Sequence, residues 1–269
     1  MQVAFHKMHG AGNDFVVLDE RARPLELTPA LIARLADRHT GIGCDQLVLL
    51  QNCGDAAGDV RARFFNSDGS EAGACGNATR CVVSLVTQGV PGRELVVRTE
   101  AGALPARTLE GGLVEVDMGR PGLDWRDVPL ARAADTLHLP LEGDPAGCSM
   151  GNPHATFFNW PADPRQAGPA LEADSLFPER ANIGFATILS PERMRLLVWE
   201  RGAGLTRACG SGACAAAVNA ARRGLTGRRV AVEMEGGTLE IAWGGDGHVR
   251  MTGPAVISFA GTIELDRYR

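Results

Sequence analysis

Ala74-Cys75-Gly76-Asn77-Ala78-Thr79-Arg80 and Ala208-Cys209-Gly210-Ser211-Gly212-Ala213-Cys214 stand 134 residues apart in a chain of 269. Each opens on Ala-Cys-Gly, and each runs into an apolar helical stretch that stops at a glycine, Gly89 or Gly224. Nine residues before each cysteine a polar residue closes an apolar run, Asn66 after Val60 to Phe65 and Glu200 after Leu196 to Trp199. Two strand-like runs then follow in each half. There Glu100 and Gly102 are answered by Glu235 and Gly237, and Gly112 by Gly247, at a constant offset of 135. A repeat of this kind decides the architecture before any local reading does. It predicts an α/β (α+β) fold of two similar, pseudo-symmetric halves, each a mixed or antiparallel sheet wrapped around a central helix.

The local pattern fits. Alternating apolar and β-branched residues predict strands at 3–8, 14–18, 46–50, 60–66, 94–99, 103–108 and 113–118. Thr28-Pro29 opens a helix to about Asp37, with a threonine N-cap, proline in the first turn, and Leu31, Ile32 and Leu35 on one face. The second half repeats the theme with strands near 154–158, 185–189, 194–200, 230–234, 238–243 and 248–252. Prolines at 121, 129, 140, 145 and 153 punctuate the way in. The expected division is therefore 1–118, carrying Cys75, and 119–255, carrying Cys209. The apolar run Val256 to Leu265 has no counterpart in the repeat, so the segment 256–269 is expected to return to the first half. Helices apolar nearly all round must be buried, which leaves their N-terminal tips for chemistry.

A helix start exposes unpaired N–H groups and the positive end of the dipole. It attracts a carboxylate and lowers the pKa of a thiol, from about 8.5 to roughly 3.5–7.5. Two such tips meeting in a cleft between the halves would hold one acid group with a sulfur on either side. This geometry suits inversion at carbon: one thiolate removes an α-hydrogen from one face while the other thiol delivers a proton to the opposite face. Backbone donors aimed at the carboxylate would stabilise the carbanion. Glycines beside each cysteine leave the backbone open to such a ligand. No pyridoxal lysine motif or metal cluster is evident, so the expectation is no cofactor and no metal.

Composition limits the alternatives. With 45% hydrophobic and 22% charged residues the chain reads as globular, and a net charge of −5 offers no basic field for nucleic acid or anionic lipid. A small-molecule substrate is expected instead. The N-terminus lacks signal-peptide character and no apolar run reaches membrane-spanning length, so the expected location is cytoplasmic. Seven cysteines without a CxxC pair favour free thiols in a reducing compartment. Cys44, Cys53, Cys81, Cys148 and Cys214 read as apolar filling. A four-cysteine zinc site from Cys75, Cys81, Cys209 and Cys214 has the wrong spacing. A dithiol redox switch is the reading from a different class; it would make Cys75 and Cys209 form and break a disulfide without turnover.

Over essentially its whole length the sequence resembles the diaminopimelate epimerase family. The matching stretches are Phe5-His6-Lys7-Met8-His9-Gly10-Ala11-Gly12-Asn13-Asp14-Phe15, Gly41-Ile42-Gly43-Cys44-Asp45-Gln46, Asn66-Ser67-Asp68-Gly69-Ser70-Glu71-Ala72, Gly151-Asn152-Pro153-His154, Asn182-Ile183-Gly184 and Trp199-Glu200-Arg201-Gly202-Ala203-Gly204, with both cysteine motifs. The resemblance implies cofactor-independent conversion of LL- to meso-2,6-diaminopimelate on the route to lysine and peptidoglycan. It implies Cys75 and Cys209 as the acid/base pair, and backbone amides of Gly76, Asn77, Gly210 and Ser211 on the reacting carboxylate. Glu200 would face the ammonium. Arg201 with Asn66, Asn152 and Asn182 would read the distal end, Asn13 and Gln46 would make further contacts, and His154 would tune the site from behind. A homodimer is also implied. Proline or hydroxyproline racemases share the two-thiol chemistry, but they resemble Cys-Gly-His where this chain has Cys75-Gly76-Asn77. Two departures stand out: Ala78 where glycine is common, which would be strained at positive φ, and Cys44 where alanine is usual.

Overall fold

The computed structural model describes residues 1–54 and 58–268. The chain divides into two compact units, Met1–Val116 with Gly253–Arg269, and Asp117–Thr252. In the first, β1 (Gln2–Gly10) and β2 (Asn13–Asp19) form a hairpin, and α1 (Pro29–Ala36) leads to β3 (Gln46–Gln51), which runs parallel to β2. Next, β4 (Val60–Asn66) turns back on β3, with the short β5 (Glu71–Ala72) against it, and α2 (Gly76–Val86) crosses to β6 (Glu94–Thr99), parallel to β4. An antiparallel run through β7 (Gly102–Thr108) and β8 (Leu113–Asp117) ends this half.

The second unit repeats that sequence of pairings. Strands β9 (Ala146–Ser149) and β10 (Pro153–Phe158) are antiparallel, and α3 (Pro164–Glu172) leads to β11 (Asn182–Ser190), parallel to β10. Antiparallel β12 (Arg193–Glu200) and the short β13 (Gly204–Thr206) follow, then α4 (Gly210–Arg222) crosses to β14 (Arg229–Met234), parallel to β12. Strands β15 (Gly237–Trp243) and β16 (Val249–Pro254) close it. Strand β17 (Val256–Glu264) has no counterpart and lies antiparallel on β1.

Local chemistry explains the elements. Thr28 caps α1 by accepting from the Leu31 N–H, and Pro29 sits in its first turn. Leu31, Ile32 and Leu35 then join Val3, Phe5, Leu47, Phe65 and Leu265 in one apolar cluster. Within its unit α2 packs on β1, β2, β4, β6 and β7, while α4 packs on β9, β10, β11, β12, β14 and β15. Both are enclosed: Gly76 to Val83 are buried in α2, and Gly212 to Ala220 in α4. At the end of α4 the N–H groups of Gly224 and Leu225 reach back to the carbonyls of Ala221 and Ala220, with Gly224 at φ 66°. A left-handed glycine is the usual stop for a helix closed this way. Among the described residues no helix is long and apolar enough to cross a membrane.

Candidate active site

Duplication places the predicted site residues at matching points of the two units. Asn13 opens β2, and Asn152 immediately precedes β10. Gln46 opens β3 as Asn182 opens β11; Asn66 ends β4 as Glu200 ends β12. Cys75 and Cys209 are the N-caps of α2 and α4, with Gly76-Asn77 and Gly210-Ser211 as their first helical residues. The free N–H groups of those first turns are the donors that a carboxylate would use. Ala78 lies inside α2, buried, and is not among the positive-φ residues, so the missing glycine there causes no strain.

In the first unit Cys75 is half-buried in extended backbone (φ −148°, ψ 109°) with no hydrogen bond from its sulfur to its own helix. Its Sγ lies 3.9 Å from Asn13 Oδ1, which also accepts from Asn77 Nδ2 at 3.3 Å. Gln46 Nε2 donates to Asn66 Oδ1 (2.9 Å), and Asn66 Nδ2 donates to Ser70 Oγ (3.1 Å). Two buried acceptors here, Gln46 Oε1 and Asn77 Oδ1, lack a protein donor. Such acceptors are costly unless something supplies a hydrogen, and a substrate N–H would.

In the second unit Cys209 is buried. Its Sγ accepts from the Gly212 N–H at 3.4 Å and lies 3.6 Å from Ser211 Oγ. Burial drives this thiol well above its ordinary pKa, and the neighbouring Glu200 carboxylate pushes the same way; the hydrogen bonds from Ser211 and Gly212 pull back without prevailing. The helix-tip effect expected from sequence is present but outweighed by desolvation. Cys209 therefore rests as a thiol. Asn152 ties the tip to the strand behind it, donating from Nδ2 to Ser211 Oγ (3.4 Å) while its Oδ1 faces His154 Nε2 (2.9 Å). Burial, helped by the charge of Arg201, presses the His154 pKa down to about 3, so the ring is neutral.

Asn182 is buried with its amide engaged by main chain: Nδ2 donates to the Pro153 carbonyl (3.1 Å) and Oδ1 accepts from the Arg201 N–H (2.9 Å). Its visible role is to hold the Arg201 backbone. The Arg201 side chain is exposed and donates from Nη1 to the Glu179 carbonyl (2.9 Å). Glu200 accepts from Thr206 Oγ1. Cys44, Cys81 and Cys148 are buried, and burial lifts each thiol to about 12, as befits inert filling.

Sequence reasoning missed two supports. Glu172, buried at the end of α3, accepts from Trp199 Nε1 (2.7 Å) and the Gly202 N–H (3.0 Å), clamping both sides of Glu200-Arg201. Nothing in its local sequence marks it. The other is the charge cluster of Lys7, Asp14, Arg38 and Asp45 behind Asn13, three of whose members do lie in the motifs quoted above. A cavity of about 530 Å³ in the first unit, lined by Leu27, Ile32, Arg63, Phe65 and Glu71 among others, contains none of the predicted site residues. Arg63 and Glu71 pair with each other there at 2.7 Å, so the cavity presents no unmet charge between them.

Two helix-centred units of one design, each with a cysteine capping its central helix, make up this α/β fold. In fold the chain is similar to the structure of a predicted epimerase from Pseudomonas aeruginosa, with a TM-score of 0.71 over 97% of this chain and 99% of that one at 17% identity. The family model for diaminopimelate epimerase matches residues 5–123 and 148–258. Two curated relatives, both diaminopimelate epimerases, are similar over nearly their full length. That of Gluconobacter oxydans is 63% identical over 97% of this chain and 99% of the relative, and that of Acidiphilium cryptum 59% identical over 97% and 96%. The chain belongs to the diaminopimelate epimerase family, and it is an amino-acid isomerase.

Proposed function

We propose that Cys75 and Cys209 act as a thiolate and thiol pair that inverts one α-carbon of LL-2,6-diaminopimelate to give the meso isomer. Family membership carries the substrate; the observation that carries the chemistry is the pair of N-cap cysteines at equivalent points of the duplicated units. One sulfur, as thiolate, takes the α-hydrogen and becomes a thiol. The electron pair left on carbon spreads into the carboxylate, and the other thiol gives its proton to the opposite face and becomes the thiolate. The proton count is unchanged over the turnover. N–H groups of Gly76, Asn77, Gly210 and Ser211 would bind the carboxylate where charge develops, contributing about 3–4 kcal/mol per donor by analogy with an oxyanion hole. Glu200 would take the ammonium, and the Arg201 guanidinium the distal carboxylate. Asn66, Asn152 and Asn182 complete the distal end, Asn13 and Gln46 lie at further contacts, and neutral His154 sets Asn152.

This reading needs no cofactor or metal. It also places the enzyme in the cytoplasm, with its thiols reduced, as a homodimer that engages no nucleic acid. Exchange of the α-hydrogen of LL-diaminopimelate in heavy water, with none for proline, is the expected result; exchange of proline alone overturns the assignment. Cys75→Ala and Cys209→Ala should each abolish epimerisation, and full turnover in either one ends the two-base mechanism. A redox switch would leave both variants active.

A further inference from the structure

The Asn13 amide lies against the Cys75 sulfur, 3.9 Å from Oδ1 to Sγ, and an amide could stand either way round. Asp45 settles which. Its Oδ2 accepts from Asn13 Nδ2 at 2.9 Å and from the Asp14 N–H at 3.1 Å. A carboxylate has no hydrogen to give, so only the amide nitrogen can face it; a flipped amide would set oxygen against oxygen. Asp45 is itself held in place. Arg38 Nη2 donates to Asp45 Oδ1 at 2.7 Å and to Asp14 Oδ1 at 2.6 Å, while Arg38 Nη1 reaches Asp14 Oδ2 at 3.0 Å. The Asp45 N–H donates to the Asp14 carbonyl at 3.0 Å, and largely buried Lys7 pairs with Asp14 and with the carbonyl of Gly43. With the nitrogen committed to Asp45, Asn13 presents its oxygen to Cys75. That oxygen accepts from S–H and offers nothing to a thiolate.

We propose that Asp45, braced by Arg38 and Asp14, is a positioning residue that fixes the Asn13 amide with its oxygen toward Cys75 and so favours the protonated, proton-delivering form of that thiol. The inference rests on Cys75 being an acid/base thiol, but its readout does not require turnover. The charged and titratable groups around this arrangement include Lys7 and His9 on β1, Asp14 on β2, Arg38, Cys44 and Asp45 between α1 and β3, and Arg80 and Cys81 on Cys75's own helix.

The test is the pH dependence of alkylation at Cys75 by iodoacetamide, resolved by peptide mass spectrometry in the full-length protein. Asp45→Asn frees the amide to turn its N–H groups toward sulfur. Alkylation of Cys75 at neutral pH should then rise roughly three- to tenfold, a shift of about half a unit to one unit in the titration midpoint. Losing the Asp45 charge alone would push the same way, so the measurement is repeated in an Asn13→Leu background, where no amide can turn. A smaller shift there than in the Asn13 background supports the proposal. Equal shifts in both, or none in either, overturn it. Asp45→Glu should restore the wild-type profile. Should Asp45→Asn fail to fold, Asp45→Ser gives the same comparison. A wild-type Cys75 that resists alkylation at every pH would instead count against the acid/base role itself.

Discussion

His154 shows how a buried side chain can serve a site without titrating in it. Its ring is 2% exposed, and its pKa sits at about 3 instead of 6.5 because burial disfavours the cation. Between those two values the unfolded chain binds a proton that the folded chain refuses, so stability must fall as pH drops through that window, by up to about 1.4 kcal/mol per unit. Denaturant titrations from pH 7 downward should show this limb, and His154→Gln should flatten it. Glu200 makes a sharper case. Its carboxylate raises the Cys209 thiol pKa, second only to burial. Glu200→Gln should therefore make Cys209 more acidic, read as faster alkylation at fixed pH. In the same variant kcat/KM should fall roughly 30- to 150-fold, from about 2–3 kcal/mol of lost charge-assisted binding. A variant with unchanged kcat/KM would remove Glu200 from the substrate's ammonium.

At the scale of elements, α3 acts as a seat for the strand end that carries Glu200. Gly168 and Glu172 lie one turn apart on it. A Cβ at Gly168 would fall 2.5 Å from the Trp199 indole, whose Nε1 donates to Glu172. Gly168→Ala should cost about 1–3 kcal/mol by overpacking, against the usual gain of alanine over glycine in a helix. Thermal denaturation checks it, and a stabilised variant would contradict the seat. This helix was also the least legible element in the sequence. Pro164 opens it, with Asp163 as N-cap, but Pro169 stands inside it, and an internal proline ordinarily argues for a break. Strand β9, Ala-Gly-Cys-Ser, has no alternation to read, and β5 and β13 are too short for any. By contrast α1, α2 and α4 and most long strands declared themselves through caps, apolar runs and the repeat. The site was legible to the same degree: motif residues fall at matched strand and helix ends, whereas Glu172 and the brace on Asn13 arise from contacts between distant segments. The effect of burial on Cys209 was hidden as well, because a helix start read alone shows its dipole and not its desolvation.

For the whole molecule, duplication supplied two copies of a scaffold that later took unequal loads. Where the first unit has Asn66 and Asn77, the second has Glu200 and Ser211, and Arg201 has no charged equivalent at Ser67. The first unit thus offers neutral amides and the second the charged pair, as a substrate with two zwitterionic ends would require under the proposed function. Strand β17 is the element outside this symmetry. It covers β1, and just beyond it Leu265, fully buried, joins Val3, Phe5 and Leu31 in the first unit's core. Deleting residues 256–269 should therefore unfold the first unit, seen as loss of protection from hydrogen exchange in β1, while α4 in the second unit keeps its own. Uniform protection in both would deny β17 that role.

The second unit is one unbroken stretch of chain, Asp117–Thr252, nested between the two pieces of the first. On a ribosome this order matters: the inner unit is complete once residue 252 has emerged, whereas the outer one must wait, its β1 edge uncovered, until β17 has followed. The half whose first strand is translated first is consequently the half that finishes last.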